Sequence, residues 1–162
     1  MEQQPKQEAL DCRYLRMAKI WAENSYCTRR QVGALIVKNQ RIISDGYNGT
    51  QVGAIIVKDS MIISDGFNGT PSGFENICED ENGTTKAYVL HAEANAITKV
   101  SRSNNSSEGA TLYVTASPCI ECAKLIIQAG IVRVVYGEEY HIMDGVNLLK
   151  RVGIEVVYLK EK

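Results

Sequence analysis

Four residues in two short stretches carry groups that could do chemistry together: His91 and Glu93 in HAE, and Cys119 and Cys122 in PCIEC. One imidazole and two thiolates supply three ligands for a zinc ion and leave the fourth tetrahedral position to water. That is the ligand count of a catalytic site rather than a closed structural one. Cys119 and Cys122 lie three apart at an expected helix start, so both sulfurs emerge on one side of the first turn. His91 begins another expected helix, and helix N-termini favour the thiolate form a metal ligand must take. Glu93, two positions after the histidine, can lie beside the metal without binding it and take a proton from the bound water. Zinc lowers the pKa of such a water from about 16 to roughly 7. A closed zinc knuckle with a chance glutamate would need a fourth protein ligand that the motif does not supply. Unmetallated core thiols would leave the pairing with His91 unexplained.

The elements that must position these groups follow from pattern. The chain has 162 residues, enough for one domain, 1–162, with a proper core. From Glu8 to Ser25, Leu10, Tyr14, Met17, Ile20 and Trp21 recur at helical spacing, predicting an amphipathic first helix. Thr70 to Val89 is a long polar stretch, read as a wall or lid of a site. HAEANAITKV has the composition of a helix, and ATLYVTA that of a strand. Pro118 is expected in the first turn of a helix over CIECAKLIIQAG that Gly130 ends. IVRVVYG, MDGVNLLKRVG and IEVVYL then read as strand, helix and strand, a right-handed crossover whose two strands are parallel neighbours. The class is α/β, a mixed sheet with helices on both faces.

Net charge is −1, which gives no broad basic field and argues against nucleic acid as a partner. Five cysteines in a chain whose opening MEQQPKQEAL lacks an apolar signal core suggest thiols or metal ligands in the cytoplasm rather than a disulfide framework. No stretch has the apolar length of a membrane span.

Residues 31–50 and 51–70 are nearly the same text, differing at Leu35/Ile55, Asn39/Asp59, Gln40/Ser60, Arg41/Met61 and Tyr47/Phe67. Each copy encodes a hairpin, and two units of about twenty residues are too few for a solenoid. The block reads as a tandem duplication. Its strands are apolar on both faces, as befits a covered strand. Three layouts are open: either copy pairs while the other loops out, or the first strand of copy one pairs with the second strand of copy two. Continuity with the lid assigns Phe67 and Asn68 of the second copy to the site, while the direct run of the first helix into Gln31 favours the hybrid layout upstream. A surplus loop costs only about 1 to 3 kcal/mol in closure entropy, but its apolar strands need cover.

H-x-E paired with P-C-x-x-C is the signature of zinc nucleobase deaminases. HAEANAI with SPCIECA, preceded by QVGAxIV, GFNGTPSGF and the polar lid, resembles the deoxycytidylate deaminases, a branch of the cytidine deaminase superfamily. The resemblance covers the chain apart from one copy of the repeat and the first few residues. It implies a three-layer cytidine-deaminase-like fold with a sheet of about five strands. It also implies zinc-dependent hydrolysis of dCMP to dUMP with release of ammonia, zinc-bound hydroxide attacking C4 while Glu93 shuttles protons. Relatives are often hexamers, activated by dCTP, which would bind with Mg2+, and inhibited by dTTP. By the same resemblance Asn68, with Phe67 and Gly69, meets the sugar, although Asn-Gly is also a favoured turn dipeptide. Arg29 and Arg30 are candidates for the phosphate, or solvated charges. Tyr140 lies in a loop that relatives use near the nucleotide, beside His141, where many carry another residue. Cys27 and Cys78 match positions that bind a second, structural zinc in some relatives, but the extra histidines are absent, so one zinc is expected. Arg102 resembles an intersubunit position or is a charged helix end, and Cys12 is expected in the core. Alternatives are a deaminase of cytidine, guanine or tRNA adenosine, or a noncatalytic nucleotide-binding protein disabled by the duplication.

Overall fold

Runs of Ile, Val and Ala build the centre of the sheet. The computed structural model describes residues 3–23, 37–38, 41–42, 53–58, 60–75 and 77–160. Five longer strands, β3 (Gly53–Lys58), β4 (Ser60–Phe67), β5 (Thr111–Ala116), β6 (Arg133–Glu138) and β7 (Glu155–Tyr158), lie side by side in the order β4-β3-β5-β6-β7. Beyond β4 lie two short strands, β1 (Val37–Lys38) and β2 (Arg41–Ile42). The sheet is mixed: β3 pairs antiparallel with β4 and β5, whereas β5, β6 and β7 run parallel. The parallel pairing of the last two strands is as the crossover argument requires.

Copy two therefore supplies both strands of the central hairpin, and β3 sits between β4 and β5. This corrects the hybrid expectation: Val37 and Lys38 of the first copy do pair antiparallel with β4, but the middle of the block is not extruded, and the strand between β4 and β5 comes from the second copy. The physical reason is that Ile56, fully buried, and Val57 fill the position between sheet and helices, with residues 54–57 in register with 111–114. A strand with both faces covered must be apolar throughout, and beside β5 opposite β6 the described sheet has room for one strand, β3.

Helices α2 (Ala92–Ser101), α3 (Ile120–Gln128) and α4 (Asp144–Arg151) contact one another in series, while α1 (Gln3–Ala22) packs on β3, β5 and β6. Helices thus cover both faces. Small residues let α2 approach the sheet: a Cβ at Gly66 would fall 2.0 Å from the Ala92 carbonyl oxygen and 2.4 Å from the Ala96 nitrogen. Beside it, the buried Ser64 hydroxyl donates to the Ala96 carbonyl at 2.7 Å. Leu112, Val114, Ala123, Ile126, Val134 and Leu149 form the core between strands and helices.

On the other face, α1 is fixed by a buried acid. Asp11 accepts from both terminal nitrogens of Arg133, at 3.2 and 2.8 Å, and from the Tyr113 hydroxyl. Burial first, then Asp11, pushes the Tyr113 phenol up. Breaking a buried pair of this kind strands a charge at a cost of about 3 to 5 kcal/mol. The helix therefore turns Asp11 and Leu15 inward, not the whole expected apolar stripe. Ile20 is 54% exposed, and Cys12, expected in the core, is exposed as well because it neighbours Asp11 on the outer side. The helix also begins five residues earlier than the periodicity suggested, at Gln3.

Candidate active site

Two helix starts meet at the carboxyl end of β5. His91 is the N-cap of α2 and Cys119 the N-cap of α3, each with extended backbone. Their carbonyls accept the first helical bonds, from Asn95 and Ala123, both at 2.9 Å. Pro118 stands one residue outside the cap rather than in the first turn, so its missing N–H costs the helix nothing. Cys122 follows three residues after the cap and is buried. Gly69 and Leu90 exchange two backbone hydrogen bonds, 3.0 and 2.8 Å, which brings Asn68 of the second copy alongside His91.

The donor atoms converge. His91 Nδ1 lies 3.4 Å from the Sγ atoms of both Cys119 and Cys122, and the three ligand atoms are all within 4.8 Å of one another. Ordinary zinc bond lengths at a tetrahedral centre would separate nitrogen from sulfur by about 3.6 Å. The set therefore fits a zinc ion, and it is the single His/Cys/Asp/Glu group of this kind among the described residues. Burial is graded across it: Cys122 is buried, Cys119 half-buried and His91 exposed, so the site opens to solvent on the imidazole side.

The charges are set by this crowding. The hydrogen bond from Cys122, against the opposing cost of burial, draws the Cys119 thiol down to about 3. Cys122, facing that thiolate and more deeply buried, is pushed up. The pair thus shares one proton, which a metal ion ligated by both sulfurs would displace. The Cys119 hydrogen bond raises His91, with burial acting against it. Burial also raises Glu93, whose Oε2 has no hydrogen-bond partner while the residue is only 3% exposed. A buried carboxyl oxygen without a partner normally has a missing one to explain it. Asn68 Oδ1 is buried and unpartnered in the same way.

Comparison with known proteins agrees with this geometry. The family described as cytidine and deoxycytidylate deaminase zinc-binding region matches residues 49–138. The chain belongs to this family. The family region includes the second copy of the repeat and starts only at the end of the first. The deoxycytidylate deaminase of Enterobacteria phage T4 is 35% identical to this family member, over 91% of this chain and 89% of its own. The Homo sapiens deoxycytidylate deaminase is 40% identical over 81% of this chain and 66% of its own. The crystal structure of dCMP deaminase from the cyanophage S-TIM5, in complex with dCMP and dUMP, is 39% identical with a TM-score of 0.78, covering 93% of this chain and 97% of that one.

Not every residue singled out in the sequence comes to the site. Arg29, Arg30 and Cys27 lie outside the described residues, as does the Phe67 side chain. Cys78 is buried, its carbonyl accepting from the Lys86 amide at 2.8 Å. Arg102 caps the end of α2 opposite His91 and is exposed. Tyr140 is exposed, its ring 4.2 Å from that of His141, and its amide donates to Ser117 Oγ at 2.8 Å. Ser117 and Gly145 were missed. A Cβ at Gly145 would lie 2.2 Å from the Pro118 oxygen and 2.6 Å from that of Cys119. The signal for Ser117 was its place beside PCIEC; nothing local marks Gly145.

Proposed function

We propose that the protein is a zinc-dependent dCMP deaminase that converts dCMP and water to dUMP and ammonia. The observation that carries this reading is the unpartnered, buried Glu93 oxygen beside the His91, Cys119 and Cys122 donors. The similarity to deoxycytidylate deaminases over most of the chain selects the substrate.

His91 Nδ1 and the two sulfurs would hold zinc, which supplies a polarised water able to act as nucleophile at neutral pH. Glu93 moves the protons. Its carboxylate takes one from the attacking water, delivers it to N3 of the cytosine ring, and then assists protonation of the departing amine. A carboxyl pushed up by burial holds a proton long enough to pass it on, and Glu93, outside the His91, Cys119 and Cys122 donor group, would serve beside the metal rather than as its ligand. The amide of Asn68, which offers both donor and acceptor, binds the deoxyribose hydroxyl, with Phe67 and Gly69 shaping the turn. Tyr140 borders the nucleotide, and Arg29 and Arg30 pair with its phosphate.

In this reading residues 1–162 form one domain, the repeated block arose by tandem duplication, and the enzyme works in the cytoplasm as a homo-oligomer, a hexamer in the pattern of its relatives. A dCTP–Mg2+ activator and a dTTP inhibitor belong to the same pattern. No helix of the described residues is long and apolar enough to cross a membrane.

Zinc-loaded protein mixed with dCMP should show the absorbance change of deamination and release ammonia, with cytidine a much poorer substrate. Glu93→Ala should retain zinc and lose about a hundred- to ten-thousand-fold in turnover. Normal turnover by that zinc-loaded variant would exclude the proton-shuttle role, and preference for cytidine over dCMP would overturn the substrate.

A further inference from the structure

Two hydrogen bonds tie the end of β6 and the loop after it to Ser117, and the start of α4 packs close against the residues that follow. The Ser117 amide donates to the Glu138 carbonyl at 2.8 Å, and the Tyr140 amide donates to Ser117 Oγ at 2.8 Å. At Gly145 the start of α4 comes so close to Pro118 and Cys119 that no side chain fits. The Ser117 hydroxyl oxygen thus serves as an acceptor for the first backbone amide beyond Glu139, just where the ladder between β5 and β6 ends. Ser117 is 8% exposed, whereas Tyr140 and His141 on the loop it holds are exposed. The two loops follow neighbouring parallel strands, and in open α/β sheets ligands enter the crevice outside the carboxyl ends of such strands.

We propose that Ser117 is a positioning residue for nucleotide binding: through the Tyr140 amide it sets the Tyr140–His141 loop against the Cys119 arm of the metal site. The inference rests on the dCMP reading above and goes beyond it by naming what holds the substrate-side loop. A loop already fixed need not be ordered when the nucleotide binds, and the saving appears as affinity. Removing the hydroxyl takes away the Ser117 acceptor of the Tyr140 amide and loosens the loop, while the three metal donors keep their places on the two helix starts. The effect should therefore fall on KM rather than on zinc. One neutral hydrogen bond corresponds to about 3- to 10-fold.

The test is Ser117→Ala in the zinc-loaded protein, with Ser117→Thr as the variant that keeps the hydroxyl. Expected are an unchanged zinc content, a KM for dCMP raised about 3- to 10-fold with kcat little altered, and faster hydrogen exchange at the Tyr140 amide. Ser117→Thr should restore both KM and exchange. Tyr140→Ala should raise KM too, and combining it with Ser117→Ala should add little, because both act through one loop. An unchanged KM in Ser117→Ala, additive effects in the double variant, or zinc loss in step with activity would overturn the inference. Absence of dCMP turnover in the unaltered protein would instead sink the substrate reading, and the exchange rate at Tyr140 would then decide whether Ser117 holds the loop.

Discussion

The two copies of the repeated block differ at five of twenty positions, yet they occupy unlike places. The second forms β3 and β4 in the middle of the sheet and ends at Asn68, beside His91. Among the described residues the first contributes β1 and β2, two residues each, on the far side of β4. Val37 and Val57 are equivalent in the two texts, and both pair with Ile62, one on each side of β4. What separates them is the next neighbour: β3 also has β5, with the core and α2 behind it. Local sequence makes both copies able to be strands, and pairing with β5 places the second beside the core.

That contrast can be broken most severely at Gly66. Gly66→Ala would drive a methyl into the Ala92 and Ala96 backbone and shift the helix that begins at His91. We expect a loss above about 3 kcal/mol and weakened zinc binding, whereas Gly46→Ala should stay within about 1 kcal/mol. Urea denaturation with chelator competition reads both quantities, and matched losses would show that the copies share the load. The next largest effect is in the core: Ile56→Ala should cost about 2 to 5 kcal/mol, and Ile36→Ala less than half as much, by the same denaturation. For catalysis, Asn68→Ala should lower kcat/KM for dCMP about 5- to 100-fold through a lost sugar hydrogen bond. Asn48→Ala should leave steady-state kinetics alone, and a comparable defect there would place the first copy at the site. Smallest in energy is deletion of residues 31–50, since an added segment of this length changes closure entropy by only about 1 to 3 kcal/mol. Zinc content and turnover should persist while the mass in solution changes, because the apolar strands of the first copy need cover. Light scattering checks this, and unchanged mass together with unchanged solubility would refute it.

Much of the site was legible because its spacing is local. A cap residue and the third residue after it share one side of a helix turn, so C-x-x-C delivers two sulfurs to one point in whatever fold surrounds it. His91 with Glu93 likewise gives one donor and one acid from a single helix start. The order of strands and helices after residue 91 was legible for the same reason, with breaks marked locally by residues such as Gly109, Pro118, Gly130 and Gly153. The helical stripe of α1 misled at Ile20 and Cys12, because the inward face is chosen by Asp11 reaching Arg133 and Tyr113, residues more than a hundred positions away. The hybrid layout misled because chain continuity is a weak force compared with a buried strand position.

By itself the sequence determined the donor set, the acid beside it and the helix starts that present them, since those depend on covalent spacing and on the geometry of one helical turn. Tertiary structure alone decided which copy forms the hairpin next to β5, which face of α1 turns inward, and that Gly66 and Gly145 must lack side chains. Each of those outcomes depends on burial or close approach between segments far apart in the chain, and the local preferences of near-identical texts are too nearly equal to choose between them.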